Sequence, residues 1–388
     1  MAAASRPDAS PAGAARDDAR HYTGLLPSQT IRELIRAGEI AAAVPIADDQ
    51  VQPASLDLRL GTTAYRVQAS FLPGRNATVA AKIHAFEMHQ IDLTAGAVLE
   101  RGCVYIVPLL ESVRLGPAIG ATANPKSSTG RLDVFTRVIT DQATQFDVVR
   151  RGYEGPLYAE ISPSTFSVAV RAGSRLNQLR LRRGTAGAAG DQLLRLHDRA
   201  PLVDVALDRQ EVRDHASLAL HLDLEGVPGA GIVGFRAKRH AAVVDIDRVG
   251  HYDPAAFWEP IAAPAPRGII LNPGDFTILA TREAVTVPPD HAAEMVAYDT
   301  LVGEFRVHYA GFFDPGFGHA ESGGAGSRAV LEVRSHEVPF LLEHGQLIGR
   351  LRYERLTDVP DRLYGRGIGS SYQGQGLALG KQFRRGAA

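Results

Sequence analysis

The sequence of 388 residues contains a single cysteine, Cys103, so it cannot form an internal disulfide bond. It also lacks any run of about 18 apolar residues, which a membrane-spanning helix needs. Its formal net charge is only −1. These absences argue against a disulfide-rich secreted domain, a membrane protein and a general nucleic-acid-binding protein. We expect a cytoplasmic protein that binds neither nucleic acid nor membrane and holds any anionic ligand with a local cluster of cations.

Sequence motifs for a tightly bound metal or cofactor are absent as well. One cysteine cannot supply a Cys-x-x-Cys pair, so the motif of the zinc-dependent deaminases cannot form. The chain has no Walker A loop and no G-x-G-x-x-G that opens a helix. We therefore expect no zinc and no resident metal site.

What the sequence does contain is an internal repeat. Similar residues recur at a constant separation of 172 residues. The matching pairs are Gly102 and Gly274, Glu111 and Glu283, Glu160 and Glu332, and Gly173 and Gly345. A repeat of this length indicates two copies of one folded unit. Function can then be divided between the copies wherever their sequences differ.

The secondary structure predicted from the sequence is mainly β. Short segments of alternating apolar and polar residues, such as 55–61, are separated by Gly, Pro, Asn or Ser, which is typical of a β-sandwich or a closed, distorted barrel. We predict a disordered tail over 1–24, a first unit over 25–183, a linker over 184–194, a second unit over 195–356 and a C-terminal tail over 357–388. This last tail has no apolar period, so we expect that the core does not need it and that it is mobile unless it covers a site.

A turn rich in hydroxyl groups and cations is the first candidate for a binding site. Lys126, Ser127, Ser128 and Arg131 are close in sequence, and such a turn can aim side-chain and backbone donors at phosphate oxygens. A solvated β-turn is the alternative interpretation. The second copy has lost these groups, because Asp299, Thr300 and Gly303 stand at the positions of Ser127, Ser128 and Arg131. A binding site needed in only one copy would produce this difference.

Three acidic residues are candidates for catalysis or binding. Glu160 and Glu332 each interrupt an apolar strand, and each lies either on a solvent face or in a pocket that raises its pKa for general acid–base chemistry. Asp314 stands at the start of a Pro-Gly turn. It is either a functional acid or a structural residue that forms an Asx-type turn with the backbone. The first copy has Arg150 at the equivalent position, followed by the aromatic residue Tyr153.

Taken in order and spacing, these segments resemble the deoxycytidine triphosphate (dCTP) deaminases of the trimeric dUTPase-like fold, in the long bacterial form that carries the unit twice. The segments that carry the resemblance are 53–61, 109–116, 126–133, 152–161 and 313–317. The resemblance implies two tandem dUTPase-like units, each a distorted, jelly-roll-like β-barrel with a few short helices. It also implies a homo-oligomer, with a trimer favoured. The implied activity is hydrolytic deamination of dCTP to dUTP and ammonia, which supplies dUTP for thymidylate synthesis.

Site residues carried over from this family fall on the candidates above. The phosphate-binding serine and arginine fall on Ser127 and Arg131, and the aspartate near the deoxyribose falls on Asp314. The catalytic glutamate falls on Glu160 in one copy and on Glu332 in the other. The family implies that this glutamate moves the protons without zinc, while Mg²⁺ arrives with the nucleotide.

The C-terminal tail of this family closes over the nucleotide with a tyrosine, a lysine and a glutamine. Tyr364 and Gln375 match in register, whereas Ser371 replaces the lysine. Because the first copy keeps the phosphate loop and the second keeps Asp314 and the tail, we predict a composite site built from both copies. A complete site in the first copy is the rival hypothesis.

Two other functions remain open from the sequence. One is a dUTP diphosphatase or a bifunctional deaminase–diphosphatase, which Arg150 disfavours because that chemistry needs an aspartate there. The other is a nucleotide-binding regulator without catalysis. The sequence does not decide the oligomer size or feedback by dTTP.

Overall fold

The computed structural model describes residues 22–226, 231–264, 268–297, 305–308, 311–335, 337–365 and 372–385. Most of the predicted N-terminal tail, together with Asp299, Thr300, Gly303 and Ser371, lies outside these residues. Within them, no helix is long and apolar enough to cross a membrane.

The first copy consists mainly of short antiparallel strands. Its strands are β1 (Gly24–Leu25), β2 (Ile40–Ala42), β3 (Leu56–Arg59), β4 (Thr63–Val67), β5 (Glu87–Asp92), β6 (Ala97–Leu99), β7 (Val104–Arg114), β8 (Ile119–Pro125), β9 (Val134–Thr140), β10 (Val148–Val149), β11 (Glu154–Pro163), β12 (Val168–Val170) and β13 (Arg175–Arg183). Its helices are α1 (Ser28–Arg36), α2 (Val79–Phe86) and α3 (Ser127–Gly130).

The second copy repeats this pattern after two helices. Its strands are β14 (Leu218–His221), β15 (Ile232–Ala237), β16 (Val244–Asp245), β17 (Trp258–Ala262), β18 (Gly268–Leu271), β19 (Phe276–Val285), β20 (His291–Ala297), β21 (Phe305–His308), β22 (Phe312–Phe313), β23 (Ser327–Ser335), β24 (Phe340–Glu343) and β25 (Leu347–Arg355). Its helices are α4 (Gly190–Arg199), α5 (Arg209–His215) and α6 (Pro254–Phe257). The predicted mainly β fold is confirmed.

Strand pairing makes the internal repeat visible in three dimensions. Strand β11 lies between β7 and β9, and β23 lies between β19 and β21 in the same order. Glu160 is paired with Ile106 across β7, and Glu332 with Ile278 across β19. The two glutamates therefore occupy equivalent positions in the two sheets, and local strand geometry does not distinguish them.

The two copies share buried surface. Strand β16 of the second copy extends the first by pairing in parallel with β12. Phe257, Trp258, Phe276 and Ile278 of the second copy belong to the hydrophobic core that the first copy's strands build. Helix α4 begins inside the predicted linker of 184–194. The predicted domain boundaries stay a prediction.

The C-terminal tail is part of this core, which corrects our expectation that the core does not need it. Phe383 is only 2% exposed and packs against Phe257 and Trp258, with ring centroids 5.4 and 5.8 Å apart. Leu377 and Leu379 also pack against this core, so a few separate apolar side chains, rather than an amphipathic element, attach the tail.

Candidate active site

A cavity of about 450 Å³ lies where three parts of the chain meet. The first copy contributes the loop at 126–131. The second copy contributes residues on and after β22 and on β23, and the C-terminal tail covers the remaining side. Eight of the predicted site residues line this cavity: Lys126, Ser127, Ser128, Arg131, Asp314, Glu332, Tyr364 and Gln375.

The loop from the first copy is held by backbone contacts. Strand β8 ends at Pro125, and α3 follows as a single helical turn in which the Arg131 amide donates to the Ser127 carbonyl, 3.0 Å away. The Thr129 hydroxyl donates to the Leu176 carbonyl at 3.1 Å. Ser128 and Arg131 are buried, at 6% and 3% exposure. The alternative of a solvated β-turn is therefore wrong, and the donors face the cavity instead of bulk water.

Glu332 enters the cavity from β23, and its side chain is buried against the loop. A Cβ atom on Gly130 would lie 2.8 Å from Glu332 Oε2, so only glycine allows the carboxyl group to approach so closely. Burial raises the pKa of Glu332 well above its usual range, the charge of Asp133 raises it further, and Arg131 lowers it in part. A glutamate in this environment holds its proton at a pH at which an exposed one has lost it.

Glu160 occupies the equivalent strand position but does not line this cavity. It is 1% exposed, and its Oε1 accepts a hydrogen bond from Arg137 Nη2 at 2.5 Å. The guanidinium of Arg137 in turn stacks over the ring of Phe146, 3.4 Å from its centroid, and donates to Ser70. Both glutamates are buried, so the alternative of a solvent-face glutamate is wrong for each. Glu160 is committed to an ion pair, whereas Glu332 faces the cavity.

Asp314 is held at the cavity by an arginine of the first copy. Arg180 on β13 is fully buried, and its Nη2 lies 3.3 Å from Asp314 Oδ1. The same guanidinium donates to the Ala293 carbonyl and stacks over Phe312. Burial raises the pKa of Asp314, and the charge of Arg180 lowers it in part. The turn at Asp314 is therefore built across the junction between the copies and is more than a local Asx turn.

The tail is joined to the loop through Arg131. Arg131 Nη1 donates to the Ala378 carbonyl at 2.9 Å, and Nη2 donates to Gln375 Oε1 at 3.0 Å. The guanidinium lies 3.8 Å from the centroid of the Tyr372 ring. The Tyr364 hydroxyl accepts from the Tyr372 amide at 3.1 Å. Tail, loop and cavity thus form one connected arrangement, in which the tail covers the site.

Tyr153, like Glu160, is a predicted site residue that lies outside the cavity, and the sequence interpretation missed other residues that line or support it. Tyr153 is buried in the core of the first copy, where burial raises its pKa to about 12 and its hydroxyl donates to the Pro156 carbonyl. Lys381 lines the cavity from the tail, and burial lowers its pKa. It brings an ammonium group to the cavity from a tail in which, by sequence, Ser371 replaces the family's lysine. No local motif indicated Lys381, whereas Arg180 had a detectable signal, a cation inside an apolar strand.

No group of three or more His, Cys, Asp or Glu side chains within the described ranges is placed to hold a metal ion. Two of the carboxylates that line the cavity, Asp49 and Asp57, already form ion pairs. Asp57 pairs with Lys126 at 2.5 Å and Asp49 pairs with Arg175 at 3.0 Å.

Comparisons with known proteins agree on one family. A family model described as the 2'-deoxycytidine 5'-triphosphate deaminase N-terminal domain matches residues 22–185, and the C-terminal domain model of the same description matches residues 189–383. A crystal structure of 2'-deoxycytidine 5'-triphosphate deaminase from Agrobacterium tumefaciens is 55% identical. The superposition covers 86% of this chain and 99% of the Agrobacterium chain, with a TM-score of 0.82.

Two curated relatives carry a more specific name, "dCTP deaminase, dUMP-forming". The protein from Parafrankia sp. is 35% identical over 160 residues, which is 39% of this chain and 75% of the relative. The protein from Nocardioides sp. is 32% identical over 189 residues, or 46% of this chain and 90% of the relative. Each alignment therefore spans less than half of this chain.

Proposed function

Because the chain belongs to the 2'-deoxycytidine 5'-triphosphate deaminase family and is a hydrolytic deaminase of dCTP, we propose that it forms dUTP and ammonia in the cavity between its two copies, with Glu332 as the proton shuttle. The observation that carries this proposal is the junction of the Ser128–Arg131 loop with Glu332 in one cavity. Donors suited to phosphate and a protonated carboxyl suited to cytosine come from different copies. Family membership leaves the alternative of a non-catalytic regulator without support.

The phosphate end of the substrate fits the loop and the tail. Four cations, Lys126, Arg131, Arg175 and Lys381, and five carboxyl groups, Asp49, Asp57, Asp247, Asp314 and Glu332, line the cavity. Because burial raises the pKa of Asp314 and Glu332, these two are the carboxyl groups most readily protonated. The remaining charges nearly balance, so the protein alone offers little net positive charge to a triphosphate. We propose that Mg²⁺ enters as part of the substrate, bound to the phosphate oxygens and keeping most of its water ligands.

The chemistry at the base follows from the protonation of Glu332. The protonated carboxyl donates to ring N3 of cytosine, which makes C4 more electrophilic. The resulting carboxylate accepts a proton from the water that attacks C4 and passes it to the amino group. The C4–N bond then breaks and ammonia leaves, while the new C4 hydroxyl returns its proton to Glu332. C4 thereby becomes the uracil carbonyl, N3 keeps its proton, and the protonated carboxyl is restored. A dry cavity strengthens each of these interactions, and the tail supplies that dryness by covering the site.

A second candidate product is dUMP. The relatives named dUMP-forming and the carboxyl group of Asp314 in the cavity favour it, because an aspartate in the substrate cavity can orient a water for hydrolysis. Against it, Asp314 Oδ1 is engaged by Arg180, and the equivalent Arg150 of the first copy is exposed and donates to Gln142. We therefore place dUTP first and dUMP second.

The test is a product inventory with dCTP and Mg²⁺. Ammonia with an equal amount of dUTP supports the proposal, whereas ammonia with pyrophosphate and dUMP supports the second candidate. The absence of ammonia overturns both. A zinc-selective chelator in the presence of excess Mg²⁺ should leave the rate unchanged, and a loss that zinc alone restores overturns the zinc-free mechanism.

We also propose that the chain assembles as a homo-oligomer, with a trimer favoured. In such a trimer the six units stack as two rings, while each chain keeps its own loop and Glu332 in one cavity. Mass measurement in solution, with and without dCTP, decides the number of chains.

A further inference from the structure

A second cavity, of about 390 Å³, lies between the two copies and shares no lining residue with the first. The first copy contributes Arg101, which follows β6, and Ser164 and Thr165, which follow β11. The second copy contributes residues 238–240, which follow β15, and Arg334 on β23. The cavity exists only because the two copies are packed together.

The charge of this cavity is strongly one-sided. Arg101, Lys238, Arg239 and Arg334 line it, with His240 beside them, and Asp275 is the only carboxylate that the described residues contribute to its lining. Four cations against one acid leave a formal charge of +3, in a chain whose net charge is −1. Like charges held together cost free energy unless an anion joins them. This cavity is more cationic than the one proposed to bind a triphosphate.

The cations differ in how far they are already neutralised. Arg334 forms an ion pair with Asp133 and donates to Thr165 at 2.9 Å, so it forms a fixed inner wall. Lys238 donates to the Ala255 carbonyl at 2.6 Å, and among the described residues it has no ion-pair partner. Arg239 is 71% exposed at its side chain, and its Nη2 lies 3.5 Å from Asp275, which is shared with Arg236. In the described part of the chain, the Arg101 side chain has no ion pair, so its guanidinium is free to bind a ligand.

A hydroxyl group adds a neutral donor suited to phosphate. Ser164 stands beside the guanidinium groups, as hydroxyl and cationic donors do in phosphate sites, whereas the Thr165 hydroxyl already donates to Asp133 and belongs to the fixed wall with Arg334. Arginine binds phosphate in bidentate fashion, and two arginines from opposite walls can enclose one anion. We propose that this cavity is a second anion site, which binds a phosphate-bearing ligand between Arg101 of the first copy and Arg239 of the second.

The experiment measures binding of pyrophosphate to the full chain by equilibrium dialysis. The test variant is Arg101→Ala combined with Arg239→Ala, which removes one exposed cation from each wall. The matched control is Arg36→Ala combined with Arg352→Ala, which removes two exposed arginines that line neither cavity. We expect the test variant to bind one pyrophosphate fewer per chain, or to bind the second at least about a hundredfold more weakly. The control should match the unmodified protein.

Parallel measurements with inorganic phosphate and with ATP distinguish a free anion from phosphates carried by a nucleoside. If the test variant loses binding of inorganic phosphate or of ATP, the site is supported. The probe that is lost then shows whether the ligand is a free anion or a nucleoside phosphate. Equal stoichiometry and affinity in the unmodified protein and the test variant overturn the proposal. The result is independent of the proposed function, because a failure of phosphate binding at Arg131 lowers the count in all three proteins equally.

Discussion

Replacing Glu332 and Glu160 by glutamine, one at a time, separates catalysis from stability. Glutamine keeps the shape of the side chain but cannot carry a proton between water, ring nitrogen and amine. For Glu332→Gln we expect kcat for ammonia release to fall by about 10² to 10⁴. Binding of dCTP should persist, because the loop donors of Ser128 and Arg131 are untouched.

The stability of the Glu332 variant should move in the opposite direction to its activity. Since burial raises the pKa of Glu332, the folded protein holds this proton to a higher pH than the unfolded chain does. The folded state then binds more protons above the ordinary glutamate pKa, so this group lowers the free energy of unfolding as the pH rises toward its folded pKa. Glutamine has no such pH dependence. Glu332→Gln should therefore gain stability relative to the unmodified protein as the pH rises through that window.

Glu160→Gln should lower the stability of the protein and leave its kcat nearly unchanged. The side chain of Glu160 is 2% exposed and lies 2.5 Å from Arg137 Nη2, so the substitution removes the negative charge that pairs with Arg137 and leaves a hydrogen bond from the guanidinium to a neutral amide oxygen. A cost of about 2 kcal/mol in the free energy of unfolding is expected. The loss stays moderate because Arg137 keeps the ring of Phe146 and the hydroxyl of Ser70. The kcat should change little, since Glu160 lies outside the cavity.

Two assays decide the matter: ammonia release at saturating dCTP, and urea unfolding at a series of pH values above the ordinary glutamate pKa. A Glu332→Gln protein that keeps kcat within about tenfold of the unmodified protein refutes the shuttle assignment. Loss of turnover in Glu160→Gln at unchanged stability reverses the two roles.

Three further substitutions and one mixing experiment test the rest of the site and the packing of the tail. Arg131→Ala should raise KM for dCTP about ten- to a hundredfold, while Arg150→Ala, an exposed arginine outside the cavity, should not; an unchanged KM means that the loop does not hold phosphate. Gly130→Ala places a Cβ 2.8 Å from Glu332 Oε2 and should lower kcat about a hundredfold with dCTP binding kept. The control Gly187→Ala, whose Cβ meets nothing within 4 Å, should be silent in the same assay. Phe383→Ala should cost about 3 kcal/mol in urea unfolding because the side chain is 2% exposed in the core, and a loss below about 1 kcal/mol contradicts that packing. Mixed oligomers of Arg131→Ala and Glu332→Gln chains should regain no ammonia release after verified subunit exchange, because both residues line one cavity within a chain; recovered activity shows a site shared between chains.

Much of the architecture is encoded in local patterns. Strand alternation requires only neighbouring residues, and the repeat at 172 residues requires only comparison of the chain with itself. The loop at 126–131 is recognisable because its donors are adjacent in sequence. These features predicted the mainly β class, the duplication and the residues of the loop, whereas Tyr364 and Gln375 were predicted only from the family resemblance.

Contacts between distant parts of the chain were not predictable in the same way. Arg180 reaches Asp314 across 134 residues, and Arg131 reaches Gln375 across 244. Phe383 anchors a tail whose composition indicates a mobile segment. In each case the partner is chosen by the packing of the two copies, which no local pattern records.

The choice between Glu160 and Glu332 shows where the two kinds of information divide. The sequence by itself determined that both glutamates sit at the same position of the same strand in a repeated unit. Only the tertiary structure decided that Glu160 meets Arg137, whereas Glu332 meets the bare backbone of Gly130 from the other copy. The physical reason is that strand alternation fixes the face on which a side chain lies but not what is packed against that face. For a buried carboxyl group, that neighbour determines whether it is a salt-bridge partner or a proton donor.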